Sequence, residues 1–185
     1  MLPYKNGTVR VTSTYGNRIR NGKTEFHKGI DLVGSQKQIA AIADGVVAAS
    51  AILDKASDTS RTWEWGNYIR IDTADGHRMF YCHLSARYVQ KGAVVHAGDV
   101  IGLEGSTGLS TGSHLHFEVR NSLGQSLDPT AFLGIDNRLQ SVDAASSYYG
   151  KLVCDRCGLE EATRRYLDQY KYAPDLWRKL WNAMQ

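Results

Sequence analysis

Two histidines one residue apart, in Ser113-His114-Leu115-His116-Phe117-Glu118-Val119, are the residues of this chain best placed to do chemistry. The stretch alternates like a β-strand. Strand side chains alternate faces, so His114 and His116 point one way while Leu115 and Phe117 point the other. Paired imidazoles on one sheet face suit a metal site in which one ring ligates and the other handles protons. A second cluster, His27-Lys28-Gly29-Ile30-Asp31, places a histidine and an aspartate four residues apart, a spacing that keeps both on one face. A third histidine, His83, stands in Met79-Phe80-Tyr81-Cys82-His83-Leu84.

Catalytic zinc ordinarily takes three protein ligands and leaves a fourth tetrahedral position to water. His27, Asp31 and one ring of the His114/His116 pair would supply two neutral imidazoles and a carboxylate. That set leaves a positive centre, which acidifies water and polarises a carbonyl. The other ring of the pair and His83 would line the cleft. There, imidazoles can take the water's proton, face a developing oxyanion and return a proton to a leaving amine. Each motif alone has a plain explanation: a strand His-x-His often only faces solvent, and His-x-x-x-Asp arises by chance. The weight lies in three distant segments carrying one compatible set.

The elements that must position these residues are strands. From Val9 to about Leu133 the text reads as short alternating runs separated by glycine-bearing turns. Examples are Gly45–Ala49, Asn67–Asp72, Arg78–His83, Val94-Val95, Val100–Leu103 and His114–Arg120. Ala74-Asp75-Gly76-His77 reads as a hairpin turn between the second and third of these. Many short strands with little helix-period text predict a mainly β fold, an antiparallel β-sheet or sandwich. The character changes after Gly134. Residues 1–134 read as the metal-bearing domain, 135–147 as a polar linker, and 148–185 as a small α-helical appendage. Within the appendage, helical spacing runs from Leu159 to Tyr170. A second amphipathic helix starts at Pro174 and places Leu176, Trp177, Leu180, Trp181 and Met184 on one side.

Length and composition set bounds. The 185 residues suffice for one packed domain and a small extra module. A formal net charge of +3 is too slight to argue for nucleic acid, although it is compatible with an anionic target such as a cell wall. No apolar run approaches the ~20 residues of a membrane-spanning helix. The opening Met1-Leu2-Pro3-Tyr4-Lys5-Asn6-Gly7 lacks the regions of a secretory signal, which leaves a mature domain, a phage-delivered protein and a cytoplasmic one all open. Three cysteines make no disulfide framework.

The ordered set of motifs resembles the lysostaphin/LytM/LasA-type zinc metallo-endopeptidases, which are peptidoglycan hydrolases. The matching text runs from Ser13-Thr14-Tyr15-Gly16-Asn17-Arg18 through Phe26-His27-Lys28-Gly29-Ile30-Asp31-Leu32 and Ala43-Asp44-Gly45-Val46-Val47. It continues through Gly66-Asn67-Tyr68-Ile69, Tyr81-Cys82-His83-Leu84-Ser85 and Gly98-Asp99-Val100-Ile101-Gly102. It closes on the run from Gly105 to Glu118 and on Asp128-Pro129. The resemblance implies a β-sheet groove fold, one catalytic zinc ion and hydrolysis of peptide bonds in the bacterial cell wall, whether the enzyme is secreted or phage-delivered. It implies that His27, Asp31 and His116 hold the metal, while His114 and His83 are the unmetallated catalytic pair. Arg18 matches a common family arginine, explained as well by a structural salt bridge as by substrate binding, and Tyr15 stands beside it. Cys82 departs from the family's usual small residue. By alternation it should face away from His83 as a buried thiol. The competing reading is a non-catalytic wall-binding or hydrolase-activating module. Such proteins lose metal ligands, and this chain keeps all five matched site residues.

Other signals carry less. His77 lies six residues before His83, roughly 20 Å along an unbroken strand, and His96 reads as a turn residue. Gly108-Leu109-Ser110-Thr111-Gly112 fits the letter of a serine-nucleophile elbow but is followed by a strand, and no histidine follows His116. The same loop lacks the lysine of a phosphate-binding loop. It is expected to border the substrate groove. Cys154-x-x-Cys157 is compatible with a disulfide, free thiols or half of a second metal site. The aromatic face of the last helix reads as packing, or as a surface for a partner or self-association.

Overall fold

Apolar residues on alternate positions place each strand with one face inward. In β4 (Ile30–Gly34), Ile30 and Leu32 are fully buried while Asp31 between them turns to the opposite face. In β12 (Leu115–Arg120), Leu115, Phe117 and Val119 are buried to 0% exposure, and His116, Glu118 and Arg120 occupy the other side. Burying each of those three side chains stabilises by about 1.5–3 kcal/mol. A one-residue slip would carry all three into the cleft, so the register is strongly fixed.

The computed structural model describes residues 1–20, 22–52, 62–160, 163, 167 and 173–184. Its main sheet is antiparallel and nine-stranded, in the order β10 (Val94–Val95), β6 (Gly45–Ala51), β7 (Asn67–Asp72), β8 (Arg78–Leu84), β12, β4, β1 (Thr8–Ser13) and β14 (Ser141–Asp143). The ninth strand, β13 (Ser126–Leu127), pairs with β12. A three-stranded sheet of β5 (Gln38–Ala40), β11 (Val100–Leu103) and β9 (Ala86–Arg87) supports the main one. A separate hairpin of β2 (Gly16–Arg20) and β3 (Lys23–His27) rises beside it. The mainly β, antiparallel architecture is the one expected from the sequence. So is the turn between β7 and β8, where Gly76 takes φ 86° and its N–H donates to Thr73 O at 3.0 Å.

Residues 135–147, expected to be a linker, are in part structural. β14 lies within that stretch and pairs with β1 through Thr8↔Asp143, Val9↔Val142 and Arg10↔Ser141. A short helix, α1 (Thr130–Leu133), precedes it, and Ala144, the first residue of α2 (Ala144–Cys157), is buried in the main core. Three residues are too few for alternation to announce a strand. α2 packs on the last helix, Ala173–Ala183, with Val153, Cys154 and Trp177 buried together in a small separate cluster. The helix expected from Leu159 to Tyr170 falls mostly outside the described residues. Cys154 is buried, Cys157 is exposed at the end of α2, and the two are not joined in a disulfide. Among the described residues no helix is long and apolar enough to cross a membrane.

Candidate active site

β4 and β12 are neighbours, and their register sets Asp31 opposite His116. Directly opposed residues of an antiparallel pair share a face. β3 ends at His27, which the next turn delivers to the same point. Gly29 in that turn is needed for its close approach: a Cβ there would stand 2.5 Å from Phe117 O and 2.8 Å from the His116 ring.

Three atoms able to ligate a metal converge. His27 Nε2 lies 3.0 Å from His116 Nδ1 and 3.2 Å from Asp31 Oδ1, and His116 Nδ1 lies 2.8 Å from that same oxygen. The partners of the opposite ring nitrogens decide the tautomers. His27 Nδ1–H donates to Thr14 O at 2.8 Å, leaving Nε2 bare. His116 Nε2–H donates to Glu118 Oε1 at 3.0 Å, leaving Nδ1 bare. Two imidazole lone pairs and a carboxylate oxygen therefore face one point. Zinc–ligand bonds of about 2.0–2.1 Å span tetrahedral edges of roughly 3.3 Å, close to these separations. The donor set and its spacing fit a metal ion.

The electrostatics favour a cation at this point, either a second proton on His116 Nδ1 or a metal ion that displaces it. Burial alone would lower the pKa of His116. Hydrogen bonds and charge from Asp31 and Glu118 outweigh it and raise the value to about 9. Burial likewise works to raise Asp31, yet His116 and His27 pull it well below the ordinary carboxylate range. Glu118 reaches about 2, its burial overcome by His116 and Arg120. The pocket is built to hold positive charge.

A second layer fixes the ligands. Glu118 Oε2 accepts from Arg120 at 2.8 and 2.5 Å, and the Arg120 guanidinium lies 4.7 Å from the Phe80 ring centroid and 5.2 Å from that of Trp65. Asp31 Oδ2 accepts from Arg18 Nη1 at 3.2 Å, and Arg18 also binds Ser13 Oγ at 2.8 Å and Glu25 at 2.7 Å. Arg18 thus holds the Asp31 carboxylate in place.

His83 and His114 flank the cluster with rings 4.6 Å apart. His114 Nε2 lies 3.8 Å from Asp31 Oδ1. Each Nδ1–H donates to a backbone carbonyl at 2.8 Å, that of His83 to Thr107 and that of His114 to Gly112. His83 takes φ 65°, the left-handed region, which is uncommon outside glycine and recurs at functional sites. That angle breaks the alternation of β8. Met79 and Tyr81 face the core, whereas Cys82 pairs with His116 and so lies on the ligands' face, buried beneath them. The expectation that Cys82 faces away from the site is corrected on this point. Parity along a strand fails where one residue leaves the β region. Burial pushes the Cys82 thiol pKa well up, which suits a packed thiol.

The five residues line a cleft of about 950 Å³. One wall is the β2–β3 hairpin with Ile19 and Phe26. The other is the loop Leu109–Gly112 together with Glu64 and Trp65. Tyr15 stands outside this lining: its hydroxyl donates to Ser126 O at 3.1 Å, and its ring packs edge-on against Phe26 at 5.2 Å. His77 packs against Phe132 and His96 stands exposed by Asp44, both apart from the cleft. Sequence reasoning missed Glu118, whose signal was available: it follows His116 by two on the same strand, and so on the same face.

An antiparallel groove with two histidines and an aspartate meeting at one point, and two further histidines beside them, defines a metallopeptidase type of site. Residues 25–129 match Peptidase family M23, and the chain belongs to that family. It is 35% identical over 141 residues to the DD-carboxypeptidase/endopeptidase Mpg of Neisseria meningitidis, covering 75% of this chain but only 30% of that relative. Among solved structures it resembles a mutant catalytic domain of the prophage-encoded M23 protein EnpA from Enterococcus faecalis, with TM-score 0.55, 32% identity, and coverage of 66% of this chain and 88% of that one. The catalytic domain of the antimicrobial peptidase lysostaphin from Staphylococcus simulans gives TM-score 0.53 and 31% identity, over 69% of this chain and 91% of that one.

Proposed function

We propose that this chain is a zinc-dependent endopeptidase of bacterial peptidoglycan, acting at the cell wall. The observation that carries the reading is the convergence of three bare ligand atoms beside two imidazoles whose Nδ1–H groups are locked on carbonyls. The names of the M23 relatives support the substrate class. His27, Asp31 and His116 would hold the ion. Bound zinc supplies an acidified water and a polarised scissile carbonyl.

The remaining work falls to the chain's own residues. His114 Nε2 accepts the water's proton. Gly112 O at its Nδ1–H keeps Nε2 as the accepting nitrogen and shares the charge of the imidazolium that results. Burial, reinforced by the positive charge that His116 and His114 carry when protonated, lowers the pKa of His83 to about 4. Its ring is therefore neutral, with the proton on Nδ1, and Nε2 is an acceptor that holds the water. Neutral His83 has no N–H to offer an oxyanion and acquires one only by taking a proton. The proton taken up by His114 then passes to the leaving amine, which restores the neutral ring.

The test is digestion of purified peptidoglycan by the zinc-loaded protein, with mass spectrometry of the released muropeptides and a chelator control. New peptide amino termini that vanish with chelator and return with zinc are expected. Wall binding without any new terminus would favour the non-catalytic reading.

A further inference from the structure

Among the described residues, the arginines and lysines that line the cleft are Arg18, Arg20, Lys28 and Arg120. Two of them are committed. Arg18 donates to Glu25 and Asp31, and Arg120 donates to Glu118. Arg20 and Lys28 make no ion pair and no side-chain hydrogen bond among the described residues. The acids of the lining do not offset them. Glu25, Asp31 and Glu118 are those already engaged, and Glu64 belongs to the opposite wall.

Arg20 differs from Lys28 in what stands beside it. In the β2–β3 register Arg18 is opposite Glu25, and two residues further on Arg20 is opposite Lys23. Alternation puts both pairs on one face of the hairpin. The first pair is neutral, with Arg18 Nε 2.7 Å from Glu25 Oε1. The second sets two like charges directly opposite each other, an arrangement that destabilises a strand pair. Lys23 is exposed, and it too makes no ion pair among the described residues. The fold draws no stability from this pair, whereas an anion between the two cations would relieve their repulsion.

The place of the pair defines the anion. β2 and β3 form a sheet of their own, and Arg18 pins it to the His27–Asp31–His116 cluster through Asp31 Oδ2 at 3.2 Å and Ser13 Oγ at 2.8 Å. Arg20 follows Arg18 by two residues, roughly 7 Å along the strand. An extended peptide advances about 3.3 Å per residue, so a substrate lying along this wall would bring to Arg20 a group about two residues from the scissile bond. We infer that Arg20 and Lys23 form a subsite for a free carboxylate of the peptide substrate and so select acidic stem peptides over amidated ones. The inference rests on the proposed function for its substrate class. Neither cation belongs to the histidine–aspartate cluster, so the subsite acts on binding.

The experiment uses the zinc-loaded full chain and one crosslinked muropeptide in two forms, its free carboxyl groups left as carboxylates or converted to amides. Wild type should show a KM about fivefold lower for the carboxylate form, the scale of a charge pair in an open cleft, with kcat little changed. Added salt should shrink that preference. Arg20→Ala combined with Lys23→Ala should bring the ratio of the two KM values near one while zinc is retained. Arg20→Lys should keep the preference, and Arg20→Glu with Lys23→Glu should invert it. A distorted hairpin would shift KM for both peptides alike and leave the ratio standing. Equal KM values in wild type, or a preference that survives in the double alanine variant, overturn the inference. If wild type cleaves neither peptide, the proposed function fails, and calorimetric affinities of the zinc-loaded chain for the two peptides decide the inference by the same ratio.

Discussion

His116 is gripped by a carboxylate on each side: Asp31 Oδ1 lies 2.8 Å from its Nδ1 and Glu118 Oε1 lies 3.0 Å from its Nε2. One nitrogen is thereby committed as donor and the other is presented as a ligand. The ring's orientation is fixed by Glu118, whose contact is with Nε2 and not with the nitrogen that faces Asp31.

Glu118→Ala should therefore weaken zinc binding by about 10–100-fold, the usual loss when a carboxylate behind a ligating histidine is removed. Competition against a chromophoric chelator measures it. Unchanged affinity would mean that strand geometry alone orients His116.

Arg18 contacts the second oxygen of Asp31 at 3.2 Å. Arg18→Ala is expected to lower zinc affinity several-fold with KM near wild type. The opposite pattern, KM raised and affinity unchanged, would assign Arg18 to substrate instead.

Acid sensitivity follows from Glu104. Burial works to raise its pKa, but hydrogen bonds from Lys37, Ser113, Tyr4 and Gly34 outweigh it and hold the value below the ordinary one. A carboxylate with a depressed folded pKa binds fewer protons folded than unfolded just below its unfolded value. Its stabilisation is thus complete above about pH 4.5 and is lost as pH falls through the folded pKa. Denaturant titrations at a series of pH values should show a shallower acid loss for Glu104→Gln than for wild type. Parallel curves would remove Glu104 from the account.

Truncation separates the domain boundary read from sequence from that of the fold. Ending the chain after Gly134 removes β14 and leaves Val11 N–H without Gln140 O, its partner at 2.8 Å. Lost backbone bonds cost about 1 kcal/mol each, so this variant should melt lower than one ending after residue 160. Equal melting temperatures would show that β14 contributes nothing.

Much of the site was readable because its signals are local. The alternation of Leu115, His116 and Phe117 gave the facing rings, and β12 folds as that pattern requires. Short range also set the limit. Cys82 was misplaced because a single left-handed residue, His83, breaks strand parity, and nothing in its neighbours' identities announces the angle. Glu104 gathers donors from Tyr4, Gly34, Lys37 and Ser113, a meeting that only the tertiary fold creates. β14 was hidden in polar text because three residues of edge strand need little apolar pattern, and Val142 packs against the core.

The division of labour between the paired histidines is the central claim, and one paired measurement addresses it: zinc content and peptidoglycan cleavage of His114→Ala beside His116→Ala. His114→Ala should keep about one zinc per chain and lose cleavage by at least about 100-fold, the usual scale of a lost general base. His116→Ala should lose both. A metal-free His114→Ala, or one that cleaves like wild type, would contradict the account.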